Sequence, residues 1–164
     1  MHRLTRDEVR RHVEADAVTL YALVSDVTRT PEWSPQVVAC EWVPPATGPV
    51  PGARFRATNK GGGHRWSNRP VVEIADPGRE FAFTRSMPLG GTLRWSYRFE
   101  PADGGTTVTE SYAVLRPVPA ALHWIVRLSG VRDLAADLRA NMRRTLERLA
   151  VVAEREAAQR RPHS

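Results

Sequence analysis

Two polar side chains of this chain stand on strand rows that are otherwise apolar. By strict alternation Glu110 shares a row with Val108 and Tyr112, and Asn68 shares one with Trp66. A buried carboxylate is costly unless it is paired or protonated. Glu110 could therefore orient a ligand or act as an acid/base group with a raised pKa, and Asn68 could hold a carbonyl oxygen. The simpler reading pairs Glu110 with Arg69 or Arg85, should a bulge turn either arginine inward. A bulge in the last strand would instead turn Glu110 out to solvent.

Other patterns with chemical meaning are weak. The histidines His2, His12, His64, His123 and His163 never recur at i, i+3 or i, i+4, so no helical metal pair forms, and no metal is expected. Gly61-Gly62-Gly63 lacks the Lys-Ser/Thr of a phosphate loop and reads as a hairpin turn. Ser25 beside Asp26 has no histidine partner, and Ser111 and Ser129 sit in no nucleophile turn, so acyl transfer is unsupported. Cys40 is the only cysteine, which excludes an internal disulfide and a cysteine-rich zinc site.

The 164 residues suffice for one domain that buries about two thirds of its unfolded surface. A core spanning about residues 7 to 156 is expected, with 157–164 frayed. The net charge of +6 comes almost wholly from arginine, since Lys60 is the only lysine. Between 127 and 161, nine arginines face five acids, but they spread around a helix rather than gather on one face, which argues against a nucleic-acid partner. The charged stretch Arg3 to Asp16 is no secretory signal, and the apolar run Ala17–Val24 is too short to cross a bilayer. The expectation is a soluble, cytoplasmic protein without stable membrane insertion. Its oligomeric state is left open.

A particular set of elements must position these residues. Glu8 to Ala15 alternates as a strand, with Arg11 breaking the inner row. Asp16 is a good N-cap for a helix carrying Leu20, Leu23, Val24 and Val27 at helical spacing. Thr30-Pro31 restarts a second short helix, with the threonine as cap, and Pro35 stops it. A ladder of β-runs follows, separated by Gly, Pro and Asp turns: Gln36–Val43, Ala53–Lys60, His64–Ala75, Glu80–Arg85, Thr92–Pro101 and Thr106–Leu115. Leu93, Trp95, Tyr97 and Phe99 form an apolar face opposite Arg94, Ser96, Arg98 and Glu100, and such a face must be covered. The only element long enough runs from Arg132 to about Glu156, with Leu134, Leu138, Met142, Leu146, Leu149 and Val152–Ala153 at three- and four-residue steps. The apolar segment Val118–Leu128 between them reads as a mobile lid or as a short helix against the sheet edge.

This order resembles the helix-grip fold of the START-like (SRPBCC) superfamily. Asp26–Pro35 with its Pro-Glu-Trp-Ser-Pro turn, Trp95–Glu100 and Gly105–Ser111 look like the polyketide cyclase/dehydrase and lipid transport branch. The resemblance implies an α+β fold: a curved seven-stranded antiparallel sheet around a long C-terminal helix, with two short helices after the first strand. It also implies a deep cavity between sheet and helix. Its inward rows would be Trp66 and Asn68; Phe81 and Phe83; Trp95, Tyr97 and Phe99; and Val108, Glu110 and Tyr112. Leu138 and Met142 would come from the helix, and Trp33 would stand near the mouth. Phe81, Phe99 and Val108 read better as plain core.

The function this implies is binding of one apolar or amphipathic small molecule, lipid-like or polyketide-like, without chemistry and without a cofactor. The alternative is a polyketide cyclase/aromatase or dehydratase in which Glu110, Tyr97 or Tyr112 moves a proton. A third class, protein interaction through the exposed sheet face, gains nothing from the polar row at Arg94–Glu100.

Overall fold

Strand β1 (Arg6–Val13) leads to Asp16, whose carboxylate accepts the Thr19 amide at 2.7 Å and the Thr19 hydroxyl at 2.8 Å and so starts helix α1 (Ala17–Ser25). This is a computed structural model, and it describes residues 4–87, 90–128, 130 and 133–160. Six of the strands after α1 pair as antiparallel neighbours: β2 (Val37–Trp42), β3 (Phe55–Gly61), β4 (His64–Asn68), β5 (Val71–Asp76), β6 (Glu80–Ser86) and β7 (Thr92–Ala102), with β8 (Gly105–Arg116) returning beside β1. Helix α2 (Ala120–Leu128) and the long helix α3 (Leu134–Arg160) complete the chain.

The sheet is not seven-stranded. Eight strands form a five-stranded sheet, β1-β8-β7-β6-β5, and a three-stranded sheet, β2-β3-β4. The physical reason is Pro70, which has no amide hydrogen to donate and divides the run His64–Ala75 into β4 and β5. The two sheets still touch: Arg54 bridges Val71, and the Val72 amide donates to the Ala53 carbonyl at 2.8 Å.

The second short helix also differs from expectation. It is a 3-10 segment, Val27–Glu32, capped by Asp26 rather than Thr30, with Pro31 inside its last turn. The Asp26 carboxylate accepts from the Thr28 amide and hydroxyl, so the cap falls four residues earlier than the Thr-Pro pair suggests. The hairpin between β7 and β8 turns on Asp103-Gly104, both at positive φ (46° and 79°), the backbone that a two-residue hairpin favours. Pro88, Leu89, Ser129, Arg132, His2, His163 and the tail 161–164 lie outside the described residues, while α3 stays helical to Arg160.

Helix α3 turns Leu138, Met142, Leu146, Leu149 and Ala153 to the interior, together with Thr145 and Ala150. Two apolar clusters result. One gathers Leu146, Leu149, Ala150 and Ala153 with α1 and with Phe81, Phe99 and Val108. The other gathers Leu138 and Met142 with Leu4, Leu93, Trp95 and Tyr112. Val9 and Phe83 touch both clusters, and beside Phe83 the packing leaves space unfilled. Outside, the sheet's polar row is knit by Arg94–Glu73 (2.6 Å), Arg98–Glu8 (3.4 Å) and a Ser96 hydroxyl donated to Glu80 (3.0 Å).

Candidate functional site

The unfilled space is a cavity of two adjoining lobes that share the walls Trp33, Asn59, Phe83, Arg85 and Tyr97. The inner lobe, about 70 Å³, runs between α1 and the sheets, past Phe55, Asn68 and Phe81. The outer lobe, about 110 Å³, lies between the Ser34–Val37 segment and α3, bounded by Trp95, Glu110, Leu138, Asn141, Met142 and Thr145. The walls are mostly apolar with a few polar groups, the composition of small-molecule sites in general.

Strand register builds the polar part. Tyr97 lies directly opposite Glu110 across β7 and β8, and Phe81 lies opposite Tyr97 across β6 and β7. The only register shift between β7 and β8 is at Thr92/Leu93, so no bulge turns Glu110 outward, and it is 4 % exposed. The Tyr97 hydroxyl donates to Glu110 Oε1 at 2.9 Å, while Oε2 is buried without a partner. Burial pushes the Glu110 carboxyl up to about 8, and the Tyr97 hydrogen bond pulls it back only in part. At pH 7 this carboxyl is therefore mostly neutral. Burial first, then the neighbouring Glu110, also hold the Tyr97 hydroxyl well above its ordinary value.

The expected ion pair of Glu110 is not made. Arg69 is exposed, and Arg85, which alternation alone puts on the row of Phe81 and Phe83 without any bulge, makes no salt bridge among the described residues. The Arg85 guanidinium instead lies 5.5 Å from the centre of the Trp95 ring, a cation–π distance. Burial draws its pKa below the ordinary value, yet arginine keeps its charge.

The other expected lining residues divide. Phe83, Trp95, Tyr97, Asn68, Leu138 and Met142 lie on the cavity wall. Trp33 does too, but at 1 % exposure it is a buried wall residue common to both lobes rather than a residue of the mouth. Trp66 does not: it shares the inner side with Asn68, but its ring covers Gly61 at the far end of the β3–β4 hairpin. Tyr112 is buried behind Trp95, the ring centroids 5.3 Å apart, and is absent from both lobes. Phe81, Phe99 and Val108 are core, as expected, although Phe81 also borders the inner lobe. No described residue of helix α2 lines either lobe.

Similarity to known proteins agrees with this architecture. A family model described as polyketide cyclase / dehydrase and lipid transport matches residues 5–154. The chain belongs to this family. It is a member of the START-like (SRPBCC) superfamily, and its solved relatives share the fold at low identity. The di-domain ARO/CYC StfQ from the steffimycin biosynthetic pathway is 19% identical with a TM-score of 0.75, over 94% of this chain and 52% of StfQ. This chain thus spans about half the length of that protein. Protein CV1439 from Chromobacterium violaceum is 14% identical with a TM-score of 0.71, over 92% and 99% of the two chains. Ara h 8.0201 is 16% identical with a TM-score of 0.61, over 90% and 96%. No curated protein sequence matches.

In this polyketide cyclase/dehydrase family member two wall residues differ from the sequence reading: Asn59 is on none of the expected inward rows, and Arg85 is expected inward only with a bulge. Asn59 is 1 % exposed and alternates with Phe55 and Ala57 on β3, and Arg85 alternates with Phe81 and Phe83 on β6. The same period-2 count that finds Glu110 finds both. Cys40 also borders the inner lobe, where burial pushes its thiol up to about 12, outside the range of a reactive thiolate. Among the described residues no helix is long and apolar enough to cross a membrane, and no cluster of His, Cys, Asp or Glu is arranged to hold a metal ion.

Proposed function

We propose that this chain binds one compact, largely apolar molecule between its sheet and α3, without chemistry. The observation that supports this reading is the cavity itself. Apolar side chains dominate its wall, while Asn68 Oδ1, Trp95 Nε1 and Glu110 Oε2, all on wall residues, are buried without hydrogen-bond partners. Leaving a buried polar group unpaired costs about 1–3 kcal/mol, so a ligand that bonds these groups offsets that cost. In this reading the protein is a single-domain cytoplasmic one, acting without cofactor or nucleic acid.

Native mass spectrometry tests it. Protein purified from its own host, or incubated with 1-decanol, should carry one small-molecule adduct. Filling the outer lobe by Thr145→Trp should remove it, since Thr145 is 6 % exposed on that wall. No adduct in either preparation would refute the reading.

A second reading, cyclisation or dehydration of a polyketide chain, is favoured by the neutral Glu110 carboxyl bonded to Tyr97. That pair could hand a proton to a carbonyl oxygen, with Arg85 offsetting negative charge. Lobes of about 70 and 110 Å³ would have to open to admit such a chain. Turnover of a poly-β-ketone substrate, lost in Glu110→Gln, would favour this reading over simple binding.

A further inference from the structure

Among the described residues the Arg85 guanidinium has no counter-ion. It borders both lobes, is half-buried, and makes neither an ion pair nor a hydrogen bond to any described residue. Glu110 is the carboxylate of the same wall, and its Oε1 is taken by Tyr97 instead. A partly desolvated cation with no anion beside it is costly, and anything that supplies one is favoured. The groups near it add donors: the Trp95 ring lies 5.5 Å from the guanidinium carbon, and the Trp95 indole N–H is itself unpartnered.

Size narrows the class. Lobes of about 70 and 110 Å³ hold little more than one ring, as an apolar cavity of about 150 Å³ accepts benzene. Phe83, Trp95 and Tyr97 offer aromatic faces and edges to such a ring. In the inner lobe the amide of Asn68, with its oxygen buried and unpartnered, suits a hydroxyl group.

We propose that the cavity takes a single-ring aromatic carboxylate, its acid group against Arg85 and the Trp95 indole N–H, with a ring hydroxyl reaching Asn68. This names the ligand class within the binding reading and rests on it. Guanidinium and carboxylate match as a fork of two parallel hydrogen bonds, and the indole N–H supplies a third donor.

Isothermal titration calorimetry with 4-hydroxybenzoate, benzoate, p-cresol and 1-decanol tests the assignment on the whole chain. Saturable binding of 4-hydroxybenzoate is expected, with p-cresol, which replaces the carboxylate by a methyl group, about tenfold or more weaker. Arg85→Gln should erase that preference, and Asn68→Leu should erase any advantage of 4-hydroxybenzoate over benzoate. Equal affinity for p-cresol and 4-hydroxybenzoate would overturn the assignment. So would an Arg85→Gln protein of unchanged preference. Should Arg85→Gln not fold, the comparison of acid with p-cresol on the unaltered protein decides alone. Binding of p-cresol or 1-decanol without either acid would overturn the acid assignment and leave the binding reading standing. No binding of any of the four would remove both.

Discussion

The Tyr97 hydroxyl donates to Glu110 Oε1 at 2.9 Å across directly paired positions of β7 and β8. This pair and the neighbouring Arg85 are the ionisable groups of the outer lobe. Burial raises the Glu110 carboxyl to about 8, and the Tyr97 bond offsets the rise only in part. Arg85, on the same wall, pairs with no anion among the described residues. The ion pair expected of Glu110 is replaced by a neutral acid and a lone guanidinium, and a lone guanidinium is better suited to recognising a ligand than to bracing a fold.

The first prediction concerns stability and pH. The folded-state pKa of Glu110 is raised from the ordinary 4.5 to about 8, so the folded protein holds the proton more tightly than the unfolded chain does. Its contribution to stability is intact below about pH 4.5 and is lost as pH rises to about 8. Glu110→Gln keeps the shape and an oxygen for the Tyr97 hydroxyl but carries no charge. The variant should match the parent near pH 4.5 and exceed it by a few kcal/mol near pH 9. Urea denaturation at both pH values checks this. A parent that loses no stability relative to the variant between them would mean that Glu110 is ionised and satisfied.

The second prediction concerns α3. Leu149 is fully buried in the cluster with α1, whereas Leu138 is 7 % exposed and borders the outer lobe. Leu149→Ala should cost about 3–5 kcal/mol, and Leu138→Ala closer to 2–3, because Leu138 already has void beside it. Denaturant midpoints measure both. Equal costs below about half a kilocalorie per mole would place the wrong face of the helix inward.

A third prediction concerns the segment that flanks the outer lobe. Arg29 pairs with Glu32 at 2.6 Å and reaches across to Glu156 on α3, tying the 3-10 segment to the long helix. Arg29→Ala should cost about 1 kcal/mol, shrinking in about 1 M salt because both pairs are partly exposed. Thermal melts at low and high salt read it out. A loss that does not shrink with salt would point to lost packing of the arginine stem instead of lost charge.

Much of this was legible in the residues. Period-2 alternation put Trp95, Tyr97 and Glu110 on one face, and the three- and four-residue spacing of Leu138, Met142, Leu146 and Leu149 picked the buried face of α3. The Asp16 cap was plain because the carboxylate precedes an apolar run. Features that depend on partners far along the chain were not. One missing amide at Pro70 divides a strand and changes the strand count. The depth of Trp33 follows from long-range packing in the cluster that also holds Val24, Phe55 and Phe81. Trp66 has the right parity but sits too far along its hairpin, over Gly61, to reach the cavity. Arg85 differs in kind: its parity with Phe81 and Phe83 is plain in the sequence, but an arginine is almost never buried without a partner, so parity alone does not place it inward.

Ligand entering the cavity between the sheet and α3 is reported directly by the five tryptophans. Trp33 and Trp95 lie on the cavity wall, whereas Trp66 covers Gly61 and Trp124 is 61 % exposed on α2. Trp42 packs against Phe55. In a ¹H–¹⁵N correlation spectrum, titration with 4-hydroxybenzoate or 1-decanol should shift the indole N–H signals of Trp95 and Trp33. Those of Trp66 and Trp124 should stay in place. Shifts at Trp66 or Trp124 with Trp95 and Trp33 unmoved would contradict the account.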